Sequence, residues 1–391
     1  MEVLFLGTVF AKENEQEVIN NSKKPVEFSA NVFQKKLISG LKENGVDYTV
    51  VSAPGINSFP NGYKKMCFKG FSEEQNEYKY VNFNNIWGIR NFSRAKALKH
   101  AVKNFAKVKG EKIVLIYSVH TPLLSAAVYL KRKDPNIKIC LIVPDLPQFM
   151  NLSKKQSLIY KIGKKFDVRK FNKLNKWVDS YMLLTEKMTE KIDVSDKPYV
   201  VVEGIVDEKN LIKENLNAEN LKEKFIVYTG KLSEKFGVKN LIDAFCLIKD
   251  ENNRLLLCGT GDVLVYAQEK AKADKRIVLL GQVSPEVAKD WQEKASVLVN
   301  PRPNNEVYTR YSFPSKTVEY LITKNPVVAY KLDGMKDIYE NFLIVPKDES
   351  VNSLKDALVL ASNLERYDNG FYEYAKTELN SKLIIKKLLS M

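Results

Sequence analysis

Short apolar runs alternate with stretches of helical period along most of the chain. Residues 2–7 (EVLFLG) predict a strand, 31–44 an amphipathic helix and 47–52 (DYTVVS) a strand. Residues 112–119, a helix near 123–132 and 137–144 repeat that unit, and after 198–204 the alternation restarts. Strands are expected at 225–230, 254–259, 276–281, 296–301 and 325–330, each of the first four followed by a helix: 238–249, 263–273, 285–295 and 315–324. Val/Ile/Leu-rich strands between helices indicate parallel sheets covered on both faces. The fold class is α/β, with two doubly wound domains meeting near 198–224 and a polar linker at 207–224. The domains are placed at 1–200 and 201–365, and 366–391, helical in pattern, can pack on either.

Composition narrows the class. The 391 residues exceed what one core normally supports, and 45% hydrophobic with 28% charged residues excludes a disordered chain. No apolar run approaches the ~18–20 residues of a spanning helix, and the opening MEVLFLG reads as a buried strand rather than a signal peptide. Cys67, Cys140, Cys246 and Cys258 are too scattered for a disulfide framework or a zinc knuckle, so a reducing cytoplasm is expected. The net charge of +15 is one-sided: residues 1–200 hold 34 Lys and Arg against 19 Asp and Glu, and residues 201–391 hold 28 of each. The basic half is expected to face an anionic surface.

Parallel sheets bind ligands at the carboxyl ends of their strands. In the second half those ends carry Gly230, then Gly259-Thr260-Gly261-Asp262, then Gly281, where backbone N–H groups can approach a phosphate. No dinucleotide fingerprint or P-loop is present. Further on, Phe313-Pro314-Ser315-Lys316 opens a helix with Ser315 as the expected N-cap. Glu319 stands four positions beyond Ser315, one too many for a capping box. Its carboxylate suits two ribose hydroxyls, while the first-turn N–H groups and Lys316 suit a diphosphate.

These motifs resemble the retaining glycosyltransferases of the GT-B fold, the large family that includes bacterial lipopolysaccharide, capsule and phosphatidylinositol mannosyltransferases. The matching places are Gly230-Lys231-Leu232, Gly259-Thr260-Gly261-Asp262, Leu280-Gly281-Gln282-Val283, and Phe313 to Glu319 before Asn325-Pro326-Val327-Val328. The resemblance implies two Rossmann-like domains facing each other across a cleft and a nucleoside diphosphate sugar as donor. It also implies a transferase independent of metal and cofactor. Lys231 and Lys235 fall near the family's two basic donor-diphosphate positions, Lys235 about one residue out of register. The family's first glutamate would lie eight residues before Glu319, where this chain has Tyr311; Glu306 is the nearest carboxylate, and the position stays open between them. His120, in His120-Thr121-Pro122, matches a His-x-Pro facing the donor sugar, and Asp145 is either an acceptor ligand or a turn residue.

From Lys154 to Lys176 nine basic residues, among them Lys161, Lys164, Lys165 and Lys170, stand against Asp167 alone, interleaved with Phe166, Phe171 and Trp177. A second run, Arg94 to Lys109, has six basic residues on the expected polar side of Phe92, Ala95, Leu98, Val102 and Phe105. Such helices suit an anionic bilayer. The expected enzyme is cytoplasmic, peripheral on the inner membrane face, and transfers a sugar to a lipid-linked or membrane-proximal saccharide in cell-surface polysaccharide synthesis. Its rivals are a nucleotide-sugar epimerase of the same fold and a non-catalytic anionic-lipid or nucleic-acid binding protein, the latter disfavoured because the nucleotide-side motif is intact and the basic charge is segregated onto helical runs instead of lying with stacking aromatics on one exposed platform.

Overall fold

A computed structural model describes residues 1–24, 26, 28–71, 78–146, 158–207, 223–366 and 369–391, with the backbone alone for 158–162. Residues 208–222 of the linker expected at 207–224, and Lys154 and Lys155 of the basic run, lie outside the described residues. The chain forms two compact units, Met1–Asp207 with Asn380–Met391, and Glu208–Leu379.

The first unit is built on seven strands, β1 (Glu2–Gly7), β2 (Asp47–Ser52), β4 (Tyr78–Tyr80), β6 (Lys112–Tyr117), β7 (Lys138–Val143), β8 (Ser180–Leu183) and β9 (Tyr199–Val201). Their order is β4-β2-β1-β6-β7-β8-β9, and every pairing is parallel. A separate antiparallel pair, β3 (Cys67–Phe68) and β5 (Phe83–Asn84), flanks it in sequence. The central strands β1, β6 and β7 are buried nearly throughout, as a sheet covered on both faces requires.

The second unit has five strands in the order β12-β11-β10-β13-β14: β10 (Lys224–Thr229), β11 (Asn253–Cys258), β12 (Ile277–Gly281), β13 (Val297–Asn300) and β14 (Val327–Ala329), again all parallel. Its core joins Ile226, Leu255, Leu257, Val297 and Val299 to Leu241 and Phe245 of the helix Val238–Cys246 and to Leu354 and Leu358 of the helix Val351–Ser362.

The boundary expected at 200 falls at 207, because Val202, Ile205 and Val206 are buried with the first unit. The terminal segment expected to begin at 366 divides. Phe371 and Tyr374 stay in the second unit, ringed with Tyr339 and Phe342. The last helix, Ser381–Leu389, packs on the first, where Ile384, Ile385 and Leu388 join Val3, Leu37 and Leu41. Asn380 caps it by accepting from the N–H groups of Lys382 and Leu383.

Candidate functional site

A doubly wound sheet leaves its crevice where the strand order reverses. In the second sheet this point lies between β10 and β13, so the loops that follow them, 230–237 and 301–314, hold the site. Lys235 of the first loop and Glu306 of the second meet there, Nζ 3.8 Å from Oε1. Both are substantially exposed, so the pair adds little stability and both groups stay available to a ligand. The Tyr308 ring carries two cations, with Lys235 Nζ 4.3 Å and Arg302 Cζ 4.6 Å from its centroid. Arg302 Nη2 also donates to Ser312 Oγ at 3.1 Å. Tyr311 is buried at 5% exposure, whereas Glu306 opens to solvent, so of the two positions only Glu306 offers a carboxylate at the surface.

The helix Ser315–Leu321 sits beside this crevice. Its N-cap is Pro314 rather than the expected Ser315, which is already helical; the proline's fixed φ starts the turn without a side-chain cap. Lys316 reaches back over β10, its Nζ 3.3 Å from Thr229 Oγ1. Glycine at 230 (φ 149°) permits this, since a Cβ there would stand 2.9 Å from Lys316 Cε. The buried Tyr320 hydroxyl accepts from the Thr229 N–H at 3.0 Å, which fixes the helix to the end of β10. Burial raises the Tyr320 phenol and pushes the Cys258 thiol up to about 11, the latter against the pull of Lys316. Neither group ionises at neutral pH. Glu319 is half-buried and Lys231 exposed.

Gly259 and Gly261 have a reason within the fold that the sequence did not show. A Cβ on either would lie 1.7 Å from Gly230 O or 2.0 Å from Leu232 O, so the glycines let the β10 and β11 loops touch backbone to backbone. The N–H groups of Gly230, Leu232 and Gly259 are taken by Cys258 O, Thr260 O and Gly281 O. The Phe313 ring packs inside the unit: it is 6% exposed, and its centroid lies 5.0 Å from that of Tyr339.

In the first sheet the order reverses between β1 and β6. Ser118, just past β6, holds a left-handed φ of 73°, a strained conformation for a residue with a Cβ. His120 follows as N-cap of the helix Thr121–Lys133 without a side-chain capping bond, and its Nδ1 is shut from solvent with no partner among the described residues. Burial first, then the charges of Arg94, Arg90 and Lys170, hold its pKa well below the usual histidine value, so the imidazole is neutral. Asp145 is exposed beyond β7. The structure thus gathers Gly230, Lys316, Lys235 and Glu306 on the second unit, and leaves His120 and Asp145 on the first.

The basic runs are only partly solvated faces. Lys165 and Lys170 are exposed, Lys164 is half-buried, and the Lys161 side chain lies outside the described residues. Phe166 is 63% exposed. On the helix Arg90–Val102 the expected sides are exchanged at two positions: Arg94 is buried at 3% exposure and Phe92 stands out at 76%. Arg94 lies four and eight residues before Leu98 and Val102, on the buried stripe, and Phe92 does not. Trp87 and Ile89 are exposed beside it. Sequence reasoning missed Arg302, Tyr308, Arg90 and Arg94; for Arg94 the helical period held the signal. No helix among the described residues is long and apolar enough to cross a membrane, and none of their His, Cys, Asp and Glu groups forms a set of three placed to hold a metal ion.

Residues 223–363 match the family glycosyl transferases group 1. No curated protein sequence matches the chain. Among solved structures the chain is similar to sucrose-phosphate synthase from Thermosynechococcus elongatus, at 14% identity and a TM-score of 0.67, with 100% of this chain and 98% of that one covered. It is similar to the apo form of the lipopolysaccharide outer core galactosyltransferase WaaB at 15% identity and a TM-score of 0.60, covering 99% and 97%. Anabaena HepE, solved with UDP and glucose, follows at 14% and 0.60, covering 100% and 98%. At these identities the likeness is one of fold: two Rossmann-like units of the GT-B type.

Proposed function

We propose that this chain, whose residues 223–363 form a glycosyl transferases group 1 domain on a GT-B fold, is a retaining, metal-independent glycosyltransferase. It moves a sugar from a nucleoside diphosphate sugar to a lipid-linked or membrane-proximal saccharide in cell-surface polysaccharide synthesis. The observation that carries the reading is that the Lys235–Glu306 pair, on the loops after β10 and β13, and Lys316, which reaches Thr229 at the end of β10, all stand at the second sheet's switch point. That arrangement suits an anionic donor with a polyhydroxyl end, and HepE, solved with UDP and glucose, supports that class.

In this mechanism Glu319 accepts hydrogen bonds from the ribose hydroxyls, and Lys231, Lys235 and Lys316 face the diphosphate. As the bond from the anomeric carbon to phosphate lengthens, negative charge collects on the leaving oxygen. Fixed cations stabilise that charge more in the transition state than in the ground state, which is the condition for raising kcat. Glu306 takes hydroxyls of the transferred sugar. The acceptor oxygen attacks from the face the diphosphate leaves and gives its proton to the departing phosphate, so configuration is kept. Asp145, on the first unit, binds hydroxyls of the acceptor saccharide. Docking to the inner membrane face draws on the exposed Lys165 and Lys170 with Phe166, and on Trp87, Ile89 and Phe92.

Proton NMR of the product anomeric centre, from a turnover run in excess EDTA, tests the reading. Retained configuration at undiminished rate is expected; an inverted anomer, or loss of turnover restored by Mg²⁺, contradicts it.

A further inference from the structure

The helix Arg90–Val102 packs against the helix Thr121–Lys133 and carries two arginines one turn apart. Arg94, almost wholly buried, donates from Nη2 to Pro54 O at 2.7 Å and lies 4.3 Å from the Phe83 ring centroid. Its Nε is sealed from solvent and has no partner among the described residues. Half-buried Arg90 donates from Nη1 to Ile56 O at 3.1 Å. Pro54 and Ile56 are neutral carbonyls just past β2, so neither guanidinium has its charge balanced by a carboxylate among the described residues. Asp167, on the helix Leu158–Asn175 that packs against Thr121–Lys133, accepts instead from Thr121 Oγ1 at 2.6 Å.

Burying one unbalanced guanidinium is costly, and a second cation one turn away raises the cost. Burial and the neighbouring Arg90 both lower the Arg94 pKa, which registers that cost. An arrangement of this kind is stable and useful when a ligand brings the missing negative charge. Three features place the ligand at one spot. Both arginines are anchored past β2, His120 lies past β6, and β1 runs between those strands, so all three groups surround the carboxyl edge at the first sheet's switch point. His120 adds a second sealed and unpartnered nitrogen, Nδ1, at the start of a 13-residue helix.

We propose that Arg90, Arg94 and His120 bind a phosphate group carried by the acceptor. The planar fork of arginine matches phosphate and carboxylate alike, but two guanidiniums, a helix start and the nearby charge of Lys170 exceed what a single carboxylate balances and suit a phosphate. The word acceptor rests on the glycosyltransferase reading; the anion site itself does not. The neutral imidazole has one N–H to donate to a phosphate oxygen, which orients the group without adding a further cation.

The chain has two histidines, His100 and His120, so ¹⁵N-detected imidazole spectra of the full chain report on the site directly. Inorganic phosphate is expected to shift the His120 signals and leave His100 unmoved. Arg90→Gln should weaken that response at least tenfold, while Lys316→Ala, in the other unit, should not change it. Arg94→Gln should act the same way if it folds; Arg90, being half-buried, keeps the test open if it does not. Glucose 6-phosphate and vesicles of phosphatidylglycerol are the two further arms, and the one that shifts His120 tells whether the phosphate is on a soluble sugar or a lipid. A His120 signal unmoved by all three probes, a response to glucose equal to that of glucose 6-phosphate, or wild-type affinity in Arg90→Gln overturns the proposal. Nucleoside diphosphate binding measured by calorimetry on the same samples separates the two readings: its absence beside an intact His120 response removes the glycosyltransferase reading alone, and the reverse removes only the phosphate site.

Discussion

Lys316 illustrates how a single residue links sequence to chemistry. Its side chain crosses the end of β10 where glycine leaves room, and its charge is proposed to meet the donor diphosphate. Lys316→Ala is expected to lower kcat more than it raises KM, because leaving-group charge grows toward the transition state; steady-state kinetics that show a KM effect alone would assign it to ground-state binding. At His120 the sign of a pH effect is fixed by burial and the surrounding cations, which hold its pKa down. The unfolded chain therefore takes up a proton near pH 6.5 that the folded one refuses, so the His120 contribution to stability falls as pH drops below that value. Denaturant midpoints of wild type and His120→Gln between pH 7.5 and 5.5 check this, with a smaller pH-dependent loss expected in the variant.

At the scale of elements, the strands were legible because buried parallel strands are continuous apolar runs. β2 has the bounds read from its sequence, and β10 and β11 are displaced by one residue. β8, four residues long, and β4, three, carry too little pattern to stand out. The glycines were legible in position, but one of their purposes was not. Gly259 and Gly261 mark contact between two loops, which sequence alone does not reveal. Gly259→Ala forces a Cβ into Gly230 O, an overpacking that costs about 1–3 kcal/mol and can be relieved only by parting the loops. Calorimetry should show the second unit melting lower by roughly 2–4 °C per kcal/mol. An unchanged melting temperature would mean the loops separate freely. Glu306 was legible only as the nearest carboxylate, since the spacing from Glu319 pointed to Tyr311; the two differ in exposure, Tyr311 being buried and Glu306 open to solvent.

For the whole molecule, the excess charge of residues 1–200 was readable from counting, but which side chains present it was not. Arg94 belongs to the interior, while Phe92, Trp87 and Ile89 project. Membrane docking of this half should therefore need both anionic lipid and the apolar group. Lys165→Glu with Lys170→Glu should release the chain from anionic vesicles, and Phe92→Ser should weaken binding at salt concentrations where the Debye length has fallen to ~3 Å. Equal sedimentation with neutral and anionic vesicles would leave the lysines as a solvated face.

Donor binding is measured most directly by calorimetric titration of UDP-, GDP-, ADP- and dTDP-sugars into wild type and Glu319→Ala. One nucleotide is expected to bind the wild type and to bind Glu319→Ala at least tenfold more weakly, the loss of ~1.5–3 kcal/mol that hydrogen bonds to a charged group supply. Wild type that binds none of the four, or a Glu319→Ala affinity equal to wild type, would contradict a nucleotide-sugar site at the β10–β13 switch point.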